Sequence, residues 1–364
     1  MRTKLYLLFG LVALLFIVFL VLEDRKEDLT EITYWKLPLD KLEYLPPSKE
    51  WIDETGENFY KNPFSIFLKE GVKKGGQFFL VSSLDEETGK KIEYEGGYNA
   101  ENTFRDLGQL KVKDSESLAE GVTISSSLDL GDGAPRLILY SGNRTKTLRF
   151  GKKHSNGSTR IVLEEGTPRA LLSAYSYIFD RFQKGPDDFR QRQLVFPGKE
   201  SVKEIYYLDE GGKPVRIDNH PYQENGAKRN YWRRVSGKII LLDPNVGEDL
   251  YRATINLKVE LYPDQENGAG FKVGNLLSPE GSKSQFSLAT MKILLTEGDE
   301  ITFRFHKPTE IGDKKYIPTI RIWNGIFKEP PFYVTEESFR KIKESAGLIE
   351  LAVPKISLPP PKKK

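Results

Sequence analysis

The chain has 364 residues, of which 29% are charged and 38% are apolar; this composition is typical of a globular protein, and the length suits two domains of average size. The formal net charge is +3, and two positive charges precede an N-terminal apolar segment, so about +1 remains for the rest (3 − 2); nucleic-acid binding, which usually needs a clear basic excess, is not expected. The chain has no cysteine, which excludes disulfides, thiolate metal sites, a catalytic thiol and a lipidated N-terminal cysteine.

The first predicted element is the apolar segment Leu5–Leu22, LYLLFGLVALLFIVFLVL. It carries no charge over 18 residues, and a helix of that length spans about 27 Å, close to the roughly 30 Å hydrocarbon core of a bilayer. Arg2 and Lys4 precede it, whereas the acidic stretch EDRKED follows, so the positive-inside rule places the N-terminus in the cytoplasm and the rest of the chain outside. We favour an uncleaved membrane anchor; a cleaved signal peptide and a buried core helix are the alternatives.

Two segments later in the chain are similar to each other over 17 residues. Leu137–Lys153 (LILYSGNRTKTLRFGKK) and Lys292–Pro308 (KILLTEGDEITFRFHKP) have six identical positions without a gap. Upstream of these hairpin-like segments, Phe104–Asp114 is similar to Tyr251–Leu261, and a third pair with a common pattern follows downstream. Similar segments in the same order favour a tandem duplication, so the sequence predicts two related α+β units.

Each predicted unit has strands on both sides of its repeated hairpin. A strand opens the unit, and another follows the hairpin, because each of these runs is rich in β-branched and aromatic residues. The opening strands are QFFLVSS and KEIYYLD, and the later strands are STRIVLEE and PTIRIWNG.

Each unit is also predicted to contain two helices. In the first helix of the first unit, Phe104, Leu107 and Leu110 share one face. In the second unit, apolar residues recur near helical spacing over 250–257.

The closing helix of each unit is predicted from its N-cap. It follows Ser173 in the first unit and Thr335 in the second, since both residue types suit an N-cap. Pro168 leaves an alternative in which the first of these helices starts earlier. Gly185-Pro186 ends that helix in either case.

The stretch TKTLRFGKK, Thr145–Lys153, raises the question of a phosphate-binding loop, because a glycine precedes two lysines. Such a loop needs a Gly-x4-Gly-Lys-Ser/Thr spacing at a helix start, which is absent. In the second copy His306 replaces Gly151, whereas the alternating apolar positions Leu148 and Phe150 keep their character. We therefore predict an amphipathic strand that ends in a turn.

Three histidines and one acidic stretch are the residues that could provide metal ligands. His154, His220 and His306 are predicted to lie in or beside turns, and none has the His-x-His or His-x3-His spacing of a zinc site. The stretch DLGDG, Asp129–Gly133, lacks the acidic ladder of a calcium loop, so a hairpin turn is predicted. No metal site is expected.

Two further motifs are interpreted as coincidences. GAGFKVG, Gly268–Gly274, has the wrong spacing for a dinucleotide loop and follows a polar stretch, so a flexible loop is predicted. Ser338 and Lys341 have the spacing of an acyl-enzyme motif, but its Ser-Asp-Asn and Lys-Thr-Gly partners are absent. No catalytic or cofactor-binding residue and no cofactor are therefore predicted.

The aromatic residues and the C-terminal tail leave weaker signals. The chain has 17 Tyr, 21 Phe and 4 Trp, which favours core or hairpin packing, with a glycan-binding groove as the alternative. Trp232 and Trp323 are the residues whose exposure distinguishes core packing from a glycan-binding groove.

The tail LPPPKKK predicts an extended, solvated end, and a weak contact with an anionic envelope polymer or lipid is an alternative.

Several stretches together resemble a bacterial envelope family, the domain of unknown function 4340. The resemblance covers most of Leu80–Glu210 well and the second half loosely, where FHKP departs from the expected Gly-Lys and a long insert lies near Pro263–Ser284. The stretches that carry it are the N-terminal anchor, TLRFGKK, TRIVLEEG, and DDFRQRQLVF leading into VKEIYYLD.

The resemblance implies a single-pass inner-membrane protein with periplasmic domains, often encoded beside an ABC transporter of the gliding-motility type. No catalytic residues are assigned to that family, so none is transferred to this chain. The expected fold is α+β, with one transmembrane helix followed by two tandem, strand-rich units. The expected bounds are 1–27 for the stub and anchor, 28–196 and 197–350 for the units, and 351–364 for the tail.

The function expected from these observations is non-enzymatic. The periplasmic units would serve as a scaffold or accessory subunit of an ABC-transporter-type envelope complex, with transporter membrane subunits as partners. Nucleic acid and small-molecule cofactors are not expected as partners. A cell-wall or surface-glycan binding module is one alternative, and an envelope hydrolase, which would need a cleft with converging carboxylates, is another.

Overall fold

The structure confirms the predicted α+β class, since two large antiparallel sheets dominate it and helices are few. The computed structural model describes residues 31–74, 76–84, 89–119, 121–195, 202–224, 227–236, 239–262 and 287–352, with the backbone alone at 222–224 and 227–230. The predicted anchor Leu5–Leu22, the loop Gly268–Gly274 and the tail after residue 352 lie outside the described residues. Among the residues that are described, no helix is long and apolar enough to cross a membrane.

The regular elements are numbered in chain order. The strands are β1 (Ile32–Thr33), β2 (Lys41–Leu45), β3 (Phe64–Lys69), β4 (Phe78–Leu84), β5 (Lys91–Glu95), β6 (Lys111–Leu118), β7 (Arg136–Ser141), β8 (Arg144–Lys153), β9 (Thr159–Glu165), β10 (Arg169–Tyr175), β11 (Val202–Asp209), β12 (Val215–Glu224), β13 (Ala227–Arg234), β14 (Ile240–Leu241), β15 (Ser287–Leu295), β16 (Glu300–His306), β17 (Thr309–Ile311), β18 (Lys314–Trp323), β19 (Phe327–Lys328) and β20 (Phe332–Thr335). The helices are α1 (Lys49–Thr55), α2 (Tyr98–Gly108), α3 (Ser176–Asp180), α4 (Pro244–Ile255) and α5 (Glu336–Leu351), and short 3-10 turns lie at Ser126–Leu128, Arg181–Gln183 and Gly185–Asp188.

The described residues divide into two compact units that interleave along the chain. The first contains the residues up to Leu39, Tyr44–Lys61 and Thr103–Gln183, and the second contains Asp40–Glu43, Asn62–Asn102 and the residues from Lys184 onward. The predicted bounds 28–196 and 197–350 differ from the bounds of these compact bodies, and they stay a prediction.

The first unit is built on antiparallel strands in the order β1-β6-β10-β9-β8-β7. In β8, Leu148 and Phe150 are fully buried, while Arg149 between them reaches Glu165 on β9. The phenyl ring of Phe150 contacts the ring of Phe179 with centroids 5.0 Å apart. This alternation confirms the amphipathic strand predicted for Thr145–Lys153, because apolar side chains take one face and the charged one takes the other.

The second unit contains the meander β3-β4-β5 and a larger antiparallel sheet in the order β14-β13-β12-β11-β15-β16-β18-β17, with β19 and β20 also paired to β18. Helices α4 and α5 contact each other, and α5 also contacts β18 and β20. One cluster of buried apolar side chains joins the meander, the larger sheet and these helices; it includes Phe78, Ile205, Met291, Phe303 and Ile342.

The repeated hairpin is present in both units. Gly142 lies in the β7–β8 turn with φ 54°, and Gly298 lies in the β15–β16 turn with φ 91°, which is the left-handed region that glycine adopts without strain. Phe303 and Phe305 are buried in β16, as their counterparts are in β8. The pairing of inward positions predicted from the repeat is therefore confirmed.

The opening and later strands that the sequence predicts are confirmed as β4, β11, β9 and β18. The predicted first helices are also present, as α2 and α4. The cap of α5 is confirmed too, because the Thr335 side chain accepts a hydrogen bond from the backbone N–H of Ser338 at 3.1 Å.

The predicted start of the first closing helix is wrong. Ser173 lies inside β10, and α3 begins at Ser176 after Tyr175, which makes no side-chain cap. Pro168 precedes β10 and does not begin a helix. The physical reason is that Ala170, Leu172 and Ala174 alternate with partly exposed residues, so period-two burial in the sheet outweighs the cap signal.

Candidate functional site

The candidate site is a cavity of about 350 Å³ in the second unit. The β3–β4 loop, the junction of β5 and α2, the β15–β16 turn and the end of β18 form its wall. Gly96 makes the junction close-packed, since a Cβ there would lie 2.7 Å from Phe79 Cβ and 3.0 Å from Ala100 Cβ. Glycine therefore lets the chain turn from β5 into α2 directly against β4.

Glu95, the last residue of β5, is the centre of a buried ionic group at this cavity. Its Oε1 lies 2.9 Å from Lys73 Nζ, and its Oε2 lies 2.7 Å from Arg321 Nη2. The Trp323 indole also donates to Oε2 at 3.2 Å. Both carboxylate oxygens thus have partners inside the unit.

The charge state of Glu95 follows from these neighbours. Burial disfavours the ionised carboxyl, but the nearby Arg321 and Lys73 outweigh burial and lower its pKa from the usual 4.5. Glu95 is therefore a carboxylate at neutral pH. A general acid needs a raised pKa, so this residue is suited to holding cations and not to donating a proton.

Arg321 in β18 joins Glu95 to a second buried acid, Glu329. Its Nε donates to Glu329 Oε2 at 2.5 Å and its Nη2 to Glu329 Oε1 at 2.9 Å. Its Nη1 donates to the Leu194 carbonyl at 3.3 Å, and the Glu95 backbone N–H donates to Glu329 Oε1 at 2.6 Å. Burial opposes the charge of Arg321, but Glu329 and Glu95 outweigh it and raise the arginine pKa above its ordinary value.

A set of hydrogen bonds, here called the loop clasp, fastens the β3–β4 loop to the larger sheet. Asp299 Oδ1 accepts from the Lys74 backbone N–H at 2.8 Å and from Asn324 Nδ2 at 2.7 Å. Asn324 also donates to the Val72 carbonyl at 2.5 Å, and Lys74 Nζ donates to the Gly298 carbonyl at 2.8 Å. The loop that carries Lys73 is thereby fixed at the cavity wall.

The rim of the cavity is more exposed. Tyr98 at the start of α2 is 64% exposed, and Glu101 lies one turn further along the helix. Glu297 in the β15–β16 turn is exposed and makes no hydrogen bond or ion pair among the described residues. The rim therefore exposes the Glu297 carboxylate, whereas Glu95 and Asp299 lie inside.

Both tryptophans whose exposure would indicate a glycan-binding surface are buried. Trp323 is 1% exposed at the cavity floor, and Trp232 is 7% exposed. A Cβ on Gly247 of α4 would lie 2.7 Å from Trp232 Cγ, so the helix packs directly on that indole. These two residues form no exposed aromatic surface.

The histidines are only partly where the sequence places them. His154 precedes a turn after β8, and His306 ends β16. His220 lies within β12, so the prediction that it lies in or beside a turn is wrong. The reason is that β12 and β13 stay paired from Ile217–Arg234 to Glu224–Ala227, which moves the turn beyond the histidine.

The other motifs serve local structure. Ser338 Oγ accepts from Thr335 Oγ1 at 2.8 Å in the cap of α5, and Lys341 Nζ lies 2.7 Å from Glu337 on the helix surface. Asp129–Gly133 forms a turn after a 3-10 turn, so the hairpin predicted there is wrong, since no strand precedes it. In the part of the chain that the structure describes, no group of three or more His, Asp or Glu side chains could hold a metal ion.

Sequence reasoning missed Glu95, Arg321 and Glu329 as one group. A signal for Arg321 is present in the sequence, because it is the single charged residue in the apolar run Tyr316–Trp323. A charge inside such a run is almost never buried without a partner. The identity of the partners, however, depends on contacts between elements more than 200 residues apart in the chain, such as Arg321 with Glu95.

No protein-family model, no curated protein and no solved structure matches the chain. The resemblance to the envelope family therefore stays a prediction.

Proposed function

We propose that the chain is a non-enzymatic, single-pass inner-membrane protein whose periplasmic units act as a scaffold or accessory subunit of an ABC-transporter-type envelope complex. The observation that carries the proposal is the uncharged segment Leu5–Leu22 at the start of the chain, with Arg2 and Lys4 before it. Such a segment is long enough to span a bilayer, and the flanking charges orient the remainder outside the cytoplasm.

The chemistry of the cavity supports a non-enzymatic role. At its floor Glu95 is bound by Lys73 at 2.9 Å and, from behind, by Arg321 at 2.7 Å. A carboxylate with two cationic partners and a lowered pKa stays ionised at neutral pH, so it is a poor acid or base. We infer that this group maintains the shape of the second unit for contact with a partner.

The proposal is tested by isolating the chain with its neighbours. Cells expressing the tagged full chain are treated with a membrane-permeable crosslinker, and the complex is purified in detergent and identified by mass spectrometry. We expect transporter membrane subunits in the purified complex. The matched control replaces Leu5–Leu22 with a cleavable secretion signal and should lose them. Recovery of the tagged chain alone from crosslinked membranes would contradict the proposal.

An envelope hydrolase is the second candidate, because the cavity wall holds four carboxylates: Glu95, Glu101, Glu297 and Asp299. That is the kind of cleft this alternative requires. The full chain in detergent would be incubated with a labelled cell-wall preparation, and release of soluble fragments would be measured. A hydrolase predicts release that falls about 100-fold or more in Asp299→Asn and is unchanged in Glu310→Gln, whose side chain is exposed in β17. No release from the unaltered chain would exclude this candidate for that substrate.

A further inference from the structure

Two tyrosines lie where the chain enters the first unit. Glu31, the first residue that the structure describes, accepts a hydrogen bond from Lys111 Nζ at 2.6 Å and another from the Tyr175 hydroxyl at 3.0 Å. The Tyr175 ring in turn lies 6.0 Å from the Tyr177 ring, measured between centroids. The entry point of the chain and the two tyrosines therefore belong to one surface.

The side chains of this surface are of the types that concentrate at membrane–water interfaces. Tyr177 in α3 is 52% exposed, and its hydroxyl makes no hydrogen bond among the described residues. The Arg181 guanidinium lies 5.3 Å from the Tyr177 ring, and Lys113 Nζ lies 5.8 Å from the Tyr175 ring. Such side chains place an apolar ring or stem among lipid headgroups and keep a polar end in water. We call this set the entry surface: Glu31, Lys111, Lys113, Tyr175, Tyr177 and Arg181.

The entry surface and its charged neighbours carry a small positive charge. Arg181 lies 2.9 Å from Asp106, and Arg105 lies 3.7 Å from the same carboxylate. Asp114 follows Lys113 in the chain. In all, four cations and three carboxylates leave a difference of one positive charge (4 − 3). This charge does not repel an anionic bilayer, but it is too small to bind one alone, so the aromatic rings have to provide most of the contact.

The predicted anchor limits the distance between the entry surface and the bilayer. Eight residues, 23–30, separate Leu22 from Glu31, and a chain of that length spans at most about 30 Å when fully extended. Arg169, at the other end of β10 from Tyr175, lies about 20 Å further away along the strand. The entry surface is therefore the part of the first unit that is joined most directly to the anchor.

We propose that the entry surface lies against the lipid headgroups of the bilayer that holds Leu5–Leu22, with the rings of Tyr175 and Tyr177 at the interface. The partner is the bilayer itself, and the contact gives the first unit one fixed face toward the membrane. This inference rests on the proposed function, because it requires Leu5–Leu22 to span the membrane. It deepens that function by assigning the face of the first unit that the membrane covers.

The test uses the full chain, reconstituted without other membrane proteins in nanodiscs of equal parts phosphatidylcholine and phosphatidylglycerol. A nitroxide on the headgroup of part of the phosphatidylcholine quenches nearby fluorophores. Because the chain has no cysteine, a single introduced cysteine gives a unique site for a bimane label.

The reporter and its control lie at opposite ends of β10 in the same unit. Ser158→Cys is the reporter, since Ser158 is exposed and its carbonyl accepts from the backbone N–H of Ser176, between the two tyrosines, at 3.0 Å. Val122→Cys is the control, since Val122 is 42% exposed and its carbonyl accepts from Arg169 Nη1 at 3.3 Å.

We expect strong quenching of the label at Ser158→Cys and little quenching at Val122→Cys. Adding Tyr177→Ser to the reporter chain should lower its quenching toward the control value, whereas Tyr177→Trp should retain it, because tryptophan is also an interfacial residue. In chains that co-purify with the discs, equal quenching at the two sites, weak quenching at both, or quenching that Tyr177→Ser leaves unchanged would overturn the proposal. A chain that does not co-purify with the discs would contradict the membrane anchor, and with it the proposed function.

Discussion

Replacing Arg321 with methionine is expected to destabilise the second unit strongly. The arginine side chain is 2% exposed and binds both Glu329 and Glu95. In Arg321→Met the methylene stem is largely kept, so the loss of packing is small. Two carboxylates, however, remain in a buried site without the cation that joined them.

The size of the stability loss in Arg321→Met depends on which contacts Glu95 and Glu329 keep. Glu95 keeps Lys73 and the Trp323 indole, but Glu329, which is 1% exposed, keeps only the backbone N–H of Glu95 among the contacts described above. Breaking a buried ion pair by removing one partner costs about 3–5 kcal/mol. We therefore expect the free energy of unfolding of the second unit to fall by about that amount.

Hydrogen exchange measured by mass spectrometry on peptides from β18 gives the free energy of opening for this unit. The matched control is Arg216→Met, because Arg216 also binds one carboxylate, Glu204, through two hydrogen bonds at 2.6 and 2.8 Å but is 52% exposed. An exposed pair contributes about 0.2–1 kcal/mol. Adding Glu329→Gln to Arg321→Met should restore part of the stability, since it removes the uncompensated charge. Equal losses for Arg321→Met and Arg216→Met would refute this reasoning.

The same variant has a predicted pH dependence. In the unaltered chain the pKa of Glu95 is lowered from 4.5, so its contribution to stability is fully present above that pH and is lost as the pH falls through the folded-state value. In Arg321→Met the Glu95 carboxyl should titrate at higher pH, because it loses one of its two cationic partners. The difference in stability between the two proteins should therefore shrink between about pH 7 and about pH 4. A difference that grows on acidification would contradict the assignment of Glu95 as the ionised partner.

Three further predictions test local packing and hydrogen bonds, the first two by urea denaturation followed by far-UV circular dichroism and the third by hydrogen exchange. Gly151→Ala should destabilise the first unit by about 1–3 kcal/mol, because the added Cβ would overlap the backbone carbonyl oxygen of Leu128. Gly347→Ala in α5 is the control: the added Cβ would have no atom within 4 Å, so this change should stabilise the second unit by about 0.5–1 kcal/mol. Thr335→Ala should cost about 1 kcal/mol by removing the cap of α5, and Thr335→Ser should restore most of it; equal losses would argue against the cap. Asn324→Ala removes two hydrogen bonds of the loop clasp, together with the bond that Asn324 accepts from the Glu300 backbone N–H, and should accelerate hydrogen exchange in the β3–β4 loop; unchanged exchange there would show that the clasp does not hold the loop.

The sequence predicts the strands of this fold well where burial alternates. β8 places Leu148 and Phe150, and β16 places Phe303 and Phe305, on alternate positions, and these residues are buried as expected. The same alternation also exposes the error at Ser173, since the residues on either side already followed a strand pattern. A favourable cap residue is a weak local signal, and pairing within a sheet overrides it.

The sequence draws attention to single residues of the candidate site, but it does not predict which of them come together. The sequence offers Trp323 as a candidate for an exposed aromatic surface, but its burial depends on packing against Phe78, whose ring centroid is 6.2 Å away across 245 positions of the chain. The ionic group of Glu95, Arg321 and Glu329 depends on the same long-range packing. Alternating patterns place a side chain on one face of a strand, but they do not say which distant strand covers that face.

The most direct test of the proposed scaffold is whether the chain is tethered with its body outside the cytoplasm. Membranes are extracted with alkaline carbonate, and intact spheroplasts are treated with protease while the chain is detected through an N-terminal tag. We expect the full chain to stay in the membrane pellet and protease to remove everything beyond Leu5–Leu22, leaving a short protected tagged fragment. Release of the full chain into the carbonate supernatant, or its complete protection from protease in intact spheroplasts, would contradict the proposal.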